Sequence, residues 1–438
     1  MKELIEPRIP KGFRDFLPER EAQRLAIIGK LQKVFHLFGF APIDTPVLEF
    51  AEVLLGKGGG ETDKEVYRFT DHGGRDVAMR FDLTVPFARF MAAHLAELPL
   101  PFRRWHAAKV WRGENTQRGR YREFMQVDFD VVGSDAASAD LEILLLMRES
   151  MKALGMEKMR IHFAHRGVFN AFLGVLGLQE RSTDVLRAID KLRKIGEEGA
   201  LAVLAEIAGQ ENAARIIAFT RIGATSALTL ESLRSALGPA GAADPSIARL
   251  SAVAKCLEEL GVAGSFVLDP SITRGLDYYT GIVFETFLTD LPAIGSVCSG
   301  GRYDNLASLY TKQSLPGVGA SIGIDRLMAA MEELGLLEKG GSPSSLLILC
   351  LEESLLGTYH RLAESYRAAG IAAEVYPEKK KLAVQFAYAE KKGIPLALVC
   401  GEDEVRDGVV GLKDLRSRQS YDKLTAAAAR EKAAELLR

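Results

Sequence analysis

The chain has 438 residues, a net charge of −2, 47 % hydrophobic and 26 % charged residues. This leaves room for about two to four domains with ordinary cores; it excludes a largely disordered polymer and a globally basic nucleic-acid binder, so any RNA contact must come from local basic patches. No run approaches the ~18 apolar residues of a membrane span, residues 1–11 carry Glu3 and Glu6 and no apolar stretch of a secretion signal, and the scattered Cys256, Cys298, Cys350 and Cys400 point to a reducing cytoplasm, with neither a zinc site nor a disulfide framework expected.

Residues 24–38 read as a helix. Leu25, Ile28, Leu31, Phe35 and Phe38 recur at spacings of three and four, Pro18 and Glu19 precede it, and Gly39 ends it. Val77, Met79 and Phe81 alternate with Asp76, Ala78 and Arg80 as in a strand, and a helix opens near Pro86, where a missing N–H costs nothing. Residues 107–112 and 121–132 read as two strands joined by a polar loop, 113–119; Arg118, Arg120 and Arg122 share one parity. Residues 169–260 turn helical, rich in Ala, Leu and Glu, and read as a separate insert. Strand character returns at 278–288 and 296–299, and residues 317–323 lead into a helix containing Arg326. Residues 338–345 have the composition of a linker. Beyond it, short apolar strands at 346–351, 373–376 and 396–400 alternate with helices, which suggests a small α/β domain with a mostly parallel sheet.

The segment 124–132 concentrates the chemistry. Met125, Val127, Phe129 and Val131 face one side; Gln126, Asp128 and Asp130 face the other, in line with Arg120 and Arg122. Buried carboxylates need partners, so this row is either a set of ion pairs with nearby arginines or part of a binding site. Arg112 and Glu114 share a face of the preceding strand. A hairpin would then present a surface cationic near the turn and anionic farther along, suited to a ligand with phosphates at one end and an ammonium at the other. Arg274-Gly-Leu-Asp-Tyr-Tyr-Thr-Gly281 adds an arginine, an aspartate and two tyrosines, which supply apolar walls with polar tips. Gly317, Gly319 and Gly323 miss the spacing of a dinucleotide fingerprint and fit close approach of a strand to another group.

Together these segments resemble the class II aminoacyl-tRNA synthetases and, within them, the histidyl-tRNA synthetase family. Residues 38–46, ending in Pro46, look like motif 1; Trp111-Arg-Gly-Glu-Asn-Thr-Gln-Arg-Gly-Arg-Tyr-Arg-Glu-Phe124 looks like motif 2; Gly317-Val-Gly-Ala-Ser-Ile-Gly-Ile-Asp-Arg326 looks like motif 3. Residues 274–285 and Gly300-Gly-Arg-Tyr-Asp304 resemble segments specific to the histidine enzymes, and the tail resembles the class IIa anticodon-binding domain. Asp82-Leu83-Thr84 and Asp130 take the form typified by eukaryotic and archaeal members.

The resemblance implies an α+β fold: a class II catalytic domain with a mixed or antiparallel sheet flanked by helices, a helical insertion, and a small C-terminal α/β anticodon-binding domain. It places the catalytic domain at 1–168 and 263–337, the insertion at 169–262, a linker at 338–345 and the anticodon domain at 346–438. It implies ATP-dependent ligation of L-histidine to tRNA(His) through a histidyl-adenylate, with Mg2+ on the ATP phosphates, no tightly bound protein metal, a homodimer and no membrane. Arg274 and Arg112 are the implied catalytic residues. Asp82, Leu83, Thr84, Arg112, Gln126, Asp130, Arg274, Tyr278, Tyr279 and Tyr303 are implied for histidine, with Asp130 and Tyr279 reading the imidazole. Arg112, Glu114, Arg120, Phe124 and Arg326 are implied for ATP. A competing reading is a non-catalytic regulatory relative, such as the regulatory subunit of ATP phosphoribosyltransferase. Such proteins usually lack the C-terminal domain and degrade the catalytic arginines; here Arg112, Arg274, Arg326 and the tail are present.

Overall fold

The computed structural model describes the chain apart from residues 1–3, 57–64, 118, 223–229, 240–242, 273–277 and 339–341. Two compact units emerge: residues 1–15 with 24–337, and residues 16–23 with 338–438.

From Arg24 on, helix α1 (Pro18–Leu37) belongs to the first unit; it is followed by β1 (Ala41–Pro42), β2 (Leu48–Phe50), α2 (Ala51–Leu55), β3 (Arg68–Thr70), β4 (Asp76–Met79) and α3 (Thr84–His94). Two ten-residue strands, β5 (Phe102–Trp111) and β6 (Glu123–Val132), pair antiparallel along their whole length. After α4 (Ala137–Ala153) and β7 (Met159–His165) come helices α5 (Arg166–Val175), α6 (Ser182–Asp190), α7 (Leu192–Ala208), α8 (Gln210–Thr220), α9 (Leu230–Leu237) and α10 (Pro245–Glu259). The unit closes with β8 (Phe266–Leu268), β9 (Ile282–Leu288), β10 (Cys298–Tyr303), β11 (Gly317–Gly323) and α11 (Ile324–Glu333).

Its main sheet runs β1-β5-β6-β11-β10-β9-β7-β8. The central pairs are antiparallel, and the β1/β5 and β7/β8 pairs are parallel. One face of β6 presents Val127, Phe129 and Val131 to the core beneath α1 and α4, where Phe129 meets Phe35 at a centroid distance of 5.2 Å. The side chains of α5–α10, among them Phe169, Phe172 and Phe219, join that same core.

The helix expected at 24–38 begins at Pro18, and its buried stripe is Arg24, Ile27, Leu31, Val34 and Phe35. Leu25, placed on the inner face from the sequence, is 58 % exposed. Leu31 and Phe35 belong to both candidate stripes, so periodicity alone could not fix the helix's rotation.

The second unit holds a five-stranded sheet ordered β13-β12-β14-β15-β16: β12 (Leu346–Ile348), β13 (Ala373–Val375), β14 (Leu396–Val399), β15 (Val410–Asp414) and β16 (Gln419–Leu424). Helices α12 (Leu356–Ala368), α13 (Leu382–Lys392), α14 (Glu402–Asp407) and α15 (Ala426–Leu436) complete it. The first three strands are parallel, as βαβ connections require. β15 and β16 extend the sheet antiparallel. The sequence gives no strand signal for β16, which is polar and largely exposed.

Candidate active site

The register of the main sheet fixes which side chains meet. Opposite residues of an antiparallel pair share a face, so Arg104 stands across from Asp130, His106 from Asp128 and Ala108 from Gln126. On the other side of β6, Gly319 faces Asp130 and Ser321 faces Asp128. The polar row expected on β6 is therefore present, and it is buried.

The cation that partners it is Arg104, not Arg120 or Arg122. Arg104 is 0 % exposed. Its Nη2 lies 2.6 Å from Asp130 Oδ2 and 3.8 Å from Asp128 Oδ2, donates to the Leu83 carbonyl at 3.3 Å, and its guanidinium packs 4.3 Å from the centre of the Phe87 ring. Arg120 instead pairs with Glu114 at 3.0 Å, and Arg122 donates to the Glu114 carbonyl. Sequence reasoning missed Arg104 because charges in Phe102-Arg-Arg-Trp-His106 resemble a solvated edge; its parity with His106 along the strand was the available signal. His106 Nε2 donates to Asp44 Oδ1 at 2.9 Å. Burial, then the charges of Arg104 and Arg80, push its pKa down to about 3, so the ring stays neutral.

Three tyrosines close over the carboxylates. The Tyr303 hydroxyl donates to Asp130 Oδ1 at 2.6 Å, and Tyr278 donates to Asp82 Oδ2 at 3.2 Å. Burial raises the pKa of all three phenols, so they remain O–H donors. It also raises that of the Asp82 carboxyl, whose Oδ1 accepts the Val85 N–H in the first turn of α3. Asp130 is thus bound by Tyr303 and Arg104, where the sequence had associated it with Tyr279.

Glycines make room for these contacts. A Cβ on Gly319 would stand 1.9 Å from Asp130 Oδ1 and 2.8 Å from the Phe129 carbonyl, and one on Gly317 would stand 2.4 Å from the Tyr303 ring. Gly319→Ala is expected to destabilise the unit by about 1–3 kcal/mol through overpacking; thermal melting checks this, and an unchanged melting temperature would contradict the packing described.

A cavity of about 450 Å³ opens above this row. Arg112, Glu114, Arg120, Phe124 and Arg326 line it, together with Asp82, Thr84, Gln126, Asp128, Tyr278 and Tyr279. Arg112 and Glu114 lie beyond the end of β5, in the connection to β6, rather than on the strand. Arg112 Nε donates to the Phe81 carbonyl at 2.9 Å, and its guanidinium lies 5.3 Å from the Phe124 ring centre. Arg326, in the first turn of α11, donates to the Ser296 carbonyl at 2.7 Å. Gln126 donates to Ser321 at 2.8 Å. Leu83 is buried and contributes its carbonyl to Arg104; Asp130 and Tyr303 sit behind the lining. Arg274 lies outside the described residues. The cavity can hold an anionic group among three arginines and a cationic or N–H-bearing group among carboxylates, with an aromatic face at Phe124 for a planar ring.

The histidyl-tRNA synthetase model matches residues 12–327, and an anticodon binding domain model matches residues 345–436. A Treponema denticola protein named histidine–tRNA ligase is 52 % identical over 407 residues, 92 % of this chain and 91 % of that protein. One of the same name from Rhodopirellula baltica is 46 % identical, with 96 % of each chain covered. The crystal structure of histidyl-tRNA synthetase from Nostoc sp. PCC 7120 superposes with a TM-score of 0.86 at 31 % identity, covering 99 % of this chain and 100 % of the other. With the family model spanning most of the chain and the fold matching throughout, the chain belongs to the histidyl-tRNA synthetase family.

Proposed function

We propose that the cavity on the main sheet binds ATP and L-histidine side by side and that the chain joins histidine to tRNA(His) through a histidyl-adenylate, releasing pyrophosphate and then AMP. The observation that carries this is one cavity lined both by Arg112, Arg120 and Arg326 and by Asp82, Asp128 and two tyrosines, with Phe124 beside Arg112. In this reading Phe124 stacks on adenine, Glu114 receives its amino group, and Arg120 and Arg326 hold the outer phosphates. Arg112 binds the α-phosphate and the histidine carboxylate together. Asp82, Thr84 and Gln126 hold the α-ammonium, with Leu83 fixing the turn between the first two. Asp130, Tyr278, Tyr279 and Tyr303 shape the imidazole end. The resemblance adds Arg274 at the α-phosphate. Magnesium arrives with ATP as part of the substrate.

The chemistry requires no protein nucleophile. The histidine carboxylate attacks the α-phosphorus, the bond to the bridging oxygen breaks, and pyrophosphate leaves with its electron pair. A terminal ribose hydroxyl of the tRNA then attacks the acyl carbon and AMP departs. Placement of the reactants in line and stabilisation of charge at the α-phosphate account for most of the rate.

The second unit is assigned to the anticodon. Its support is the matching domain model rather than the lysine cluster: Lys379, Lys380 and Lys392 pair with Glu352, Glu378 and Glu374, which removes much of the positive charge Lys379, Lys380, Lys381, Lys391 and Lys392 suggest in sequence. A chain ending at Leu337 is expected to retain histidine-dependent ATP–pyrophosphate exchange and lose tRNA charging. Transfer of labelled histidine to tRNA(His) measures this, and intact charging would refute the assignment.

A homodimer through the motif 1 segment around Pro46 completes the reading. Val47, Leu48 and Phe50 are 40 %, 44 % and 50 % exposed in that stretch, apolar surface that a second copy would cover. Sedimentation showing only monomer at micromolar concentration would contradict it. A reducing, cytoplasmic setting fits the four cysteines, all free. Among the described residues no helix is long and apolar enough to cross a membrane.

A further inference from the structure

Residues 12–14, ahead of α1, lie against the connection between β5 and β6. The Gly12 carbonyl accepts the Arg122 N–H at 2.9 Å. Gly12 has φ +89°, and a Cβ there would stand 2.7 Å from Arg122 Cγ and 2.9 Å from Thr116 Cγ2, so this approach requires glycine. Phe13 meets the Tyr67 ring edge-on at 6.2 Å. The Arg14 guanidinium lies over the Tyr121 ring, 3.3 Å from its centre, and pairs with Asp325.

Asp325 joins three parts of the site. It stands in the first turn of α11, is 6 % exposed and lines the cavity. One oxygen takes Arg14 and the other accepts the Met125 N–H at 2.8 Å, near the start of β6. The chain neighbours of these groups are Arg326 after Asp325, Phe124 before Met125 and Arg120 before Tyr121. The connection also packs on α11 directly, since a Cβ on Gly119 would stand 3.2 Å from Arg326 Cα. Tyr121 and Asp325 belong to the cavity wall, and Arg14 stands behind them with its side chain 31 % exposed. Burial raises the Asp325 pKa; the Met125 N–H and the charges of Arg14 and Arg24 oppose this. Arg24 is itself buried on α1, so the carboxylate keeps a counter-charge when Arg14 is replaced.

We infer that Arg14 is a positioning residue for ATP: by pairing with Asp325 and stacking on Tyr121 it holds the connection after β5 against the first turn of α11, so that Arg120, Phe124 and Arg326 face one nucleotide. The inference rests on the reading of the cavity proposed above and goes beyond it by giving the segment ahead of α1 a part in nucleotide binding. A planar guanidinium suits both contacts, because it can donate to a carboxylate in its plane while its face lies on a ring. Asp82, Thr84 and Tyr278, which serve the histidine end in that reading, stand on other segments, so the effect should fall on ATP.

The test is ATP–pyrophosphate exchange by the full-length chain, varying ATP and histidine in turn, for wild type, Arg14→Ala, Arg14→Lys, Asp325→Asn and the Arg14→Ala/Asp325→Asn double variant. Arg14→Ala should raise the KM for ATP about tenfold and that for histidine less than about twofold, a split that general loss of structure would not produce. Arg14→Lys should recover only part of this, because a point charge keeps the pair with Asp325 and loses the planar stack. The KM for ATP of the double variant should lie within about twofold of the worse single variant, as for residues that act as a unit. Thermal melting identifies folded variants. A folded Arg14→Ala chain with the wild-type KM for ATP, or with equal rises for both substrates, would overturn the inference. If Arg14→Ala does not fold, Arg14→Lys decides: a rise confined to ATP supports the inference and no rise overturns it. A wild type without histidine-dependent exchange would overturn the reading of the cavity itself, a failure told apart because it needs no variant.

Discussion

Arg112→Ala should lower the rate of histidyl-adenylate formation by about 10²–10³-fold, the usual consequence of removing a preorganised charge from a reacting centre. The side chain is 25 % exposed, lines the cavity, is anchored through Nε to the Phe81 carbonyl and rests near Phe124, with Nη1 3.9 Å from Glu114 Oε1. On the proposed reading it touches both reactants, the α-phosphate and the attacking carboxylate. Charge builds between them in the transition state, so the loss should fall on the chemical step more than on binding. Lysine should restore only part of it, because a point charge cannot replace a planar fork. Because Arg112 lies outside the regular strands and is partly exposed, the melting temperature should change little. Single-turnover adenylate formation at saturating ATP and histidine measures the effect. A folded Arg112→Ala chain reacting at near the wild-type rate would remove Arg112 from the mechanism.

The second large effect is structural. Arg104→Ala should cost about 3–5 kcal/mol of stability, because removing one partner of a buried pair leaves an uncompensated charge. Arg104 is the guanidinium shared by Asp130 and Asp128, and all three are nearly inaccessible to water. With it gone, either the carboxylates take up protons or water enters the sheet. Asp130→Asn in the Arg104→Ala background should recover part of the loss, which a double-mutant cycle would register as coupling. The urea midpoint of the first unit's transition is the measurement. If the single variant melts like wild type, the buried network does not hold the site together.

Much of the site could be read before the fold was known. The alternation on β6 placed Gln126, Asp128 and Asp130 on one face because the strand period is a property of the backbone, and the structure puts Gln126 and Asp128 on the cavity wall with Asp130 just behind. Partners across the sheet could not be read, because register depends on which strands become neighbours. Arg104 is the clearest case: it precedes Asp130 by 26 positions in sequence, while the β5–β6 register sets the two opposite each other. The connection after Trp111 shows a related limit, since Arg112 and Glu114 were assigned to a strand that stops one residue earlier. In the second unit, the apolar strands announced themselves and the polar β16 did not, because exposed strands lack the hydrophobic signal. The histidine-specific segment was legible as a motif through Tyr278 and Tyr279, both on the cavity wall, while Arg274 at its start lies outside the described residues.

The central claim, that one cavity activates histidine with ATP, is tested most directly by ATP–pyrophosphate exchange of the full-length chain against each of the twenty amino acids. The account predicts exchange with histidine at least about 100-fold faster than with any other, the discrimination expected of a site that hydrogen-bonds a particular polar side chain. Absence of exchange with histidine, or equal exchange with another amino acid, would contradict it.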